Sequence, residues 1–187
     1  MNFKNTLLKK TFWFIDFLKG KPVLKHYKEI KNNFIKPNKK SLRLQNDRLR
    51  LILKSAIDNV PFYNDIEKSE LNSFPVINKI IIKNKLNYFI SREYNKKSLK
   101  KTTTSGSTGT PFTVYMNDDK INRHKAENIY FSEIAGYNLG QPLFYLRVWN
   151  SVNRKNFFQK FTQNIIPVEI SDLSHNSIEK LLINLKG

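Results

Sequence analysis

Apolar and polar positions along the chain alternate between two periods, and the change from one to the other sets out the elements. Phe3, Leu7, Phe14 and Leu18 fall near one stripe of a helix that Lys19-Gly20-Lys21-Pro22 stops. Residues 23 to 40 are polar and lysine-rich, with a break at Pro37-Asn38. From Ser41 the helical spacing sharpens through Leu42, Leu49, Ile52, Leu53, Ala56 and Val60, and this helix should end before Pro61. Pro61-Phe62-Tyr63-Asn64 reads as a packed turn, and Phe74 to Asn78 as an extended entry into a short helix over 79 to 86 with Asn78 as its cap. Phe112-Thr113-Val114-Tyr115-Met116 alternates as a strand does. Asn117-Asp118-Asp119 then opens a helix with the stripe Ile121, Ala126, Ile129, Tyr130, Ile134 and Tyr137, ended by Gly136 and Gly140. Leu143 to Trp149 is a continuous apolar run suited to a buried strand, and residues 165 to 170 suit another. Ile178, Leu181, Leu182 and Leu185 make a last helix.

This order predicts an α/β protein: a helical N-terminal part, then an α/β layer in which strands alternate with helices from about residue 100. Residues 1–40 form a basic N-terminal helical segment, and no internal repeat is present. At 187 residues and 40% hydrophobic the chain is long enough to bury a core. It has no cysteine, which removes disulfides, thiol nucleophiles and thiolate zinc sites and fits a cytoplasmic protein. Its three histidines are isolated and make no ligand cluster.

Charge changes the picture less than its size suggests. The net +18 comes from 33 basic and 15 acidic residues, but the lysines run from Lys4 to Lys186 rather than gathering on one element. Lysine arrives with heavy use of Asn and Ile, as an AT-rich coding sequence would give. The charge reads as a solvated surface, and a nucleic-acid partner is disfavoured. The first helix keeps two readings. Its apolar part is shorter than the roughly 20 residues that span a bilayer, and Asp16 interrupts it, so it is neither a transmembrane helix nor a signal peptide. Its stripe either docks on the rest of the protein or, being basic and rich in Phe and Trp, lies on an anionic membrane face. The second reading would make the protein peripheral to the inner face of the membrane.

The chemistry concentrates in Thr103-Thr104-Ser105-Gly106-Ser107-Thr108-Gly109-Thr110-Pro111. Six hydroxyl side chains and two of the six glycines of the chain stand in these nine positions. Glycine lets backbone N–H groups turn toward an anion, and Ser/Thr hydroxyls add donors around it. A Walker-type loop is excluded, since no lysine follows the second glycine and a strand rather than a helix comes next. A flexible linker fits poorly between a basic approach and a strand in mid-domain.

Thr104 to Pro111 resembles the phosphate-binding signature of the adenylate-forming superfamily, the acyl- and aryl-CoA ligases. The common form of that signature has a lysine after the proline, where this chain has Phe112. That departure moves the resemblance toward the phenylacetate-CoA ligase branch and its capsular-polysaccharide (CapK-type) relatives. Further landmarks agree: Asn59-Val60-Pro61-Phe62-Tyr63, Phe74-Pro75-Val76 followed by Lys79, and Ala135-Gly136-Tyr137-Asn138-Leu139-Gly140 ahead of Leu146-Arg147-Val148-Trp149. The resemblance spans about residues 40 to 150, and it implies that 41–187 is a partial N-terminal domain of such a ligase.

The resemblance implies ATP, Mg2+ and a carboxylic acid as reactants, with CoA as a candidate acceptor. Thr104, Ser105, Gly106, Ser107, Thr108, Gly109 and Thr110 would grip the β- and γ-phosphates while the acid attacks the α-phosphorus. Arg147 and Trp149 would stand on the substrate side. It also implies that the ribose loops, the magnesium-binding acid and the catalytic lysine of such enzymes have no counterpart here. The chain is then expected to be an N-terminal portion, incomplete or inactive alone, from a truncated or split gene and complemented by a second polypeptide. The alternative is a non-enzymatic basic module that binds a membrane surface or polyanion.

Overall fold

The first helix, α1 (Phe3–Leu18), is capped by Asn2, whose side chain accepts the Lys4 N–H, and it stops where Gly20 takes a positive φ of 83°. The computed structural model describes residues 2–35, 39–104, 112–149, 154–172 and 174–186. The Pro37-Asn38 break and residues 105–111 of the hydroxyl-rich run lie outside the described residues. The structure is α/β in the coarse sense, helices with two small sheets. After α1 come α2 (Pro22–Ile35), α3 (Lys39–Asn59), α4 (Lys79–Asn84), β1 (Lys100–Thr104), β2 (Phe112–Met116), α5 (Asp118–Ile134), β3 (Leu143–Arg147), α6 (Phe157–Gln163), β4 (Ile165–Glu169) and α7 (His175–Lys186). Each sheet has two strands: β1 and β2 pair antiparallel, β3 and β4 parallel.

Residues Pro22–Tyr130 form one compact unit. Its buried hydrophobic side chains are Val23 and Ile30 of α2, Leu53 of α3, and Ala126 and Tyr130 of α5. The same three helices are tied by charge, since the Glu29 carboxylate accepts from Arg48 at 2.7 Å and from Arg123 at 2.9 Å. Buried His26 meets Asp119 at 2.9 Å, joining α2 to the first turn of α5. The Pro61–Tyr63 turn is packed as expected, with Phe62 stacked on Phe89 at 4.1 Å and Tyr63 against Phe74. The stripe expected of α3 is corrected in part: Leu53 is buried, but Leu42, Leu49 and Ile52 are exposed.

Met1–Lys21 and Phe131–Gly187 form the other unit. The grouping follows packing, whereas the sequence division at residue 40 follows composition. Among its described residues the buried side chains are polar, Asp16 and Asn164. Asn164 is the pivot: at φ 50° it ends α6, its amide donates to the Gly140 carbonyl at 2.9 Å, and its oxygen accepts from Lys4 Nζ at 2.8 Å. Two apolar expectations are corrected in this unit. The run that opens at Leu143 was expected as a buried strand, yet β3 is exposed along its whole length. A parallel pair has four surfaces to cover, two faces and two edges, and a second strand covers one edge only. On α1, Phe3, Leu7, Phe14 and Leu18 point outward rather than docking, and the turned-in face carries Asn5, Phe12, Trp13 and Asp16.

Candidate phosphate-binding loop

β1 has no apolar residue of its own, reading Lys-Lys-Thr-Thr-Thr. It becomes a strand by pairing with β2, in the register Lys100↔Met116 through Thr102↔Val114 to Thr104↔Phe112. Threonine suits this role because its branched Cβ favours the extended backbone. Across the pair, the hydroxyls of Thr103 and Thr113 meet at 3.2 Å. The hydroxyl-rich motif is therefore the connection of a hairpin whose two ends, Thr104 and Phe112, are direct partners. Of the candidate phosphate ligands, Thr104 closes β1; Ser105, Gly106, Ser107, Thr108, Gly109 and Thr110 lie outside the described residues.

The base of the hairpin is basic. Lys100 and Lys101 are exposed on β1, and Lys100 Nζ pairs with Asp118 at 3.0 Å. Lys96 Nζ lies 5.3 Å from the Tyr115 ring centroid and donates to Asn87 at 2.8 Å. These lysines stand toward the end of the hairpin away from the connection, and the run of β-branched threonines is the sequence signal for β1. Between β2 and α4 a cavity of about 390 Å3 is lined mainly by apolar side chains, among them Ile82, Leu86, Phe89, Val114 and Met116. Polar groups at its edge are Ser91, Tyr94, Asn117 and Lys120, with Asn117 bonded to Tyr94, so most of the surface it offers is apolar.

Arg147 and Trp149 belong to the other unit. Arg147 ends β3 in register with Glu169 of β4 and is exposed. Trp149 donates its backbone N–H to Glu169 Oε2 and its indole N–H to the Val168 carbonyl, each at 3.1 Å, and Tyr145 meets its ring edge-on. The Trp149 N–H, joined by the N–H groups of Ser171 and Ile170, holds the Glu169 carboxyl below its ordinary range. Both N–H groups of Trp149 are thus engaged in fastening the end of β3 to β4.

Among the described residues no group of three or more His, Asp or Glu side chains is placed to hold a metal ion. No helix among them is long and apolar enough to cross a membrane. No family model matches the chain, and no curated protein or solved structure matches it significantly.

Proposed function

We propose that residues 104–110 form the triphosphate-gripping loop of an ATP-dependent adenylate-forming ligase of the phenylacetate-CoA ligase or CapK-like kind. One observation carries the reading: the hydroxyl- and glycine-rich run joins Thr104 to Phe112, which are direct partners across the β1–β2 pair. Donors around the phosphates would stabilise the charge that develops there as pyrophosphate leaves. Gly106 and Gly109 free the backbone to aim N–H groups at phosphate oxygens. Ser105, Ser107 and Thr108 add hydroxyl donors, with Thr104 and Thr110 at the margins.

In the reaction a carboxylate oxygen of the acid bonds to the α-phosphorus and the bond to the β-phosphate oxygen breaks. Pyrophosphate leaves with that electron pair, and the loop residues hold its charge. Mg2+ would arrive on the phosphates, as an ion that keeps much of its water commonly does. A thiol such as that of CoA would accept the acyl group.

A thermal shift tests the reading. A ligand at about ten times its Kd stabilises by about 1.4 kcal/mol, which for a chain of this size raises Tm by about 3–6 °C. Mg-ATP and Mg-pyrophosphate should both give this shift, and Gly106→Val with Gly109→Val should remove it while leaving Tm without ligand unchanged. A chain of net charge +18 gains from any anion, so sulfate at matched ionic strength is the control. An equal shift with sulfate, or none with Mg-ATP, refutes the proposal.

A further inference from the structure

We infer that α1 lays its outward face on an anionic lipid surface and so docks the protein on a membrane. The inference is independent of the phosphate loop. Helical geometry puts Phe3, Leu7, Lys10, Phe14, Phe17 and Leu18 on one face, and the five apolar side chains there are 82%, 52%, 61%, 56% and 67% exposed in chain order. The opposite face, with Asn5, Lys9, Phe12, Trp13 and Asp16, is the one turned inward. The helix therefore keeps Asn5 and Asp16 with Phe12 and Trp13 on the protein side and still offers phenylalanines and leucines outward, where a solvated helix would be polar.

Charge chooses the occupant. Asp16 is the only acid of α1 and it is buried, so the outward face and the C-terminal end carry Lys10, Lys19 and Lys21 with no carboxylate. Lys21 Nζ stands 4.9 Å from the Phe17 ring centroid, which sets a cation beside the apolar face. A second copy would bring the same lysines against these, and like charges across an interface are disfavoured. A lipid surface with anionic headgroups and an apolar layer just beneath them satisfies both parts of the face. With 16 residues, α1 is about 24 Å long and lies in that interface instead of crossing it. In the same unit α6 exposes Phe157 and Phe158, and its Phe161 ring lies 5.4 Å from Lys4 Nζ, so aromatic surface continues beside the N-terminal end of α1.

Co-sedimentation of the full chain with large vesicles tests this. Phosphatidylcholine vesicles carrying about 30 mol % phosphatidylglycerol should bind the protein at about 0.05 M salt, and pure phosphatidylcholine should bind it at least about tenfold more weakly. Raising salt to about 0.5 M should release most of it. Phe14→Ser combined with Leu18→Ser should weaken binding by about a hundredfold, about tenfold for each large apolar group removed. Val76→Ser, at a side chain 95% exposed in the other unit, should change nothing. The altered side chains are exposed, so far-UV circular dichroism should match wild type in every variant. No binding to the anionic vesicles, or equal binding by the double variant, overturns the inference. A dimer in analytical ultracentrifugation that the double variant dissolves also overturns it, in favour of self-association.

Discussion

Gly140 is the position where one methyl group should do the most damage. Its φ is +93°, and a Cβ there would overlap the Asn5 carbonyl oxygen and stand 3.1 Å from the Lys9 nitrogen, both backbone atoms of α1. Gly136 provides the matched control: it lies in the same unit at φ +90°, and a Cβ there meets nothing within 4 Å. Placing an L side chain at positive φ costs about 1–2 kcal/mol, and Gly136→Ala should lose that much. Gly140→Ala loses the same amount and also drives α1 away from the Gly140 turn. That retreat strains the bonds from the Asn164 amide to Gly140 and from Lys4 to Asn164, each worth about 1 kcal/mol, and it opens the packing around them. The total is about 3–5 kcal/mol out of a usual stability of about 5–15. Both tryptophans of the chain, Trp13 and Trp149, sit in this unit, so indole fluorescence during urea unfolding reports on it selectively. At a urea slope of about 2 kcal/mol/M, Gly136→Ala should move the midpoint by about 0.5–1 M and Gly140→Ala by about 1.5–2.5 M. Equal midpoints for the two variants would refute the close approach of α1 to this turn.

Asn164→Ala should cost about 2–3 kcal/mol by the same fluorescence assay, because it strands the Gly140 carbonyl and strains a residue at φ 50°; Asn164→Gly should cost about 1 kcal/mol less, since it removes the strain alone. In the other unit, burial raises the Glu29 carboxyl pKa, but the hydrogen bonds and charges of Arg123 and Arg48 outweigh it, and the net displacement is below the ordinary 4.5. A depressed carboxylate stabilises the fold above its unfolded pKa, so this contribution should be complete at neutral pH and lost as pH falls from about 4.5 through the lower folded value. Glu29→Gln should therefore lower stability by about 1–2 kcal/mol at pH 7 and flatten the acid limb of the stability profile, followed by circular dichroism because this unit holds no tryptophan.

Where local chemistry decides, the sequence was readable. Asn78 caps α4 by accepting the Ile81 N–H at 3.0 Å, Pro61 follows α3 closely, and Gly136 takes the positive φ that ends the α5 region. A helical segment is expected over residues 1–40, but its charge masks the buried face of α2, where Val23, His26 and Ile30 have Lys25 and Lys28 between them. β1 was invisible for a different reason: Lys-Lys-Thr-Thr-Thr carries no period, and only its partner strand makes it extended. The apolar run of β3 is exposed and the stripe of α1 leaves docking and exposure both open, because an apolar residue states a preference for cover without saying what supplies it. The Glu29 pair with Arg48 and Arg123 joins residues up to 94 positions apart and left no local pattern to read. At the candidate site the ligand chemistry lay in the motif, whereas the hairpin register that holds its two ends emerged from the fold.

The unit built from Met1–Lys21 and Phe131–Gly187 also fixes an order of events in folding. α1 leaves the ribosome long before Asn164, and its bonds to that residue span about 160 positions, so its polar face finds these partners only after residue 164 has been made. Residues Pro22–Tyr130 carry their buried hydrophobic side chains and the Glu29 pairs within one continuous stretch, and they can close during that interval. Until then the inward face of α1, with Phe12, Trp13 and Asp16, stays uncovered. Slowing translation between residues 130 and 164 should lengthen that exposure, while the middle unit folds on its own schedule.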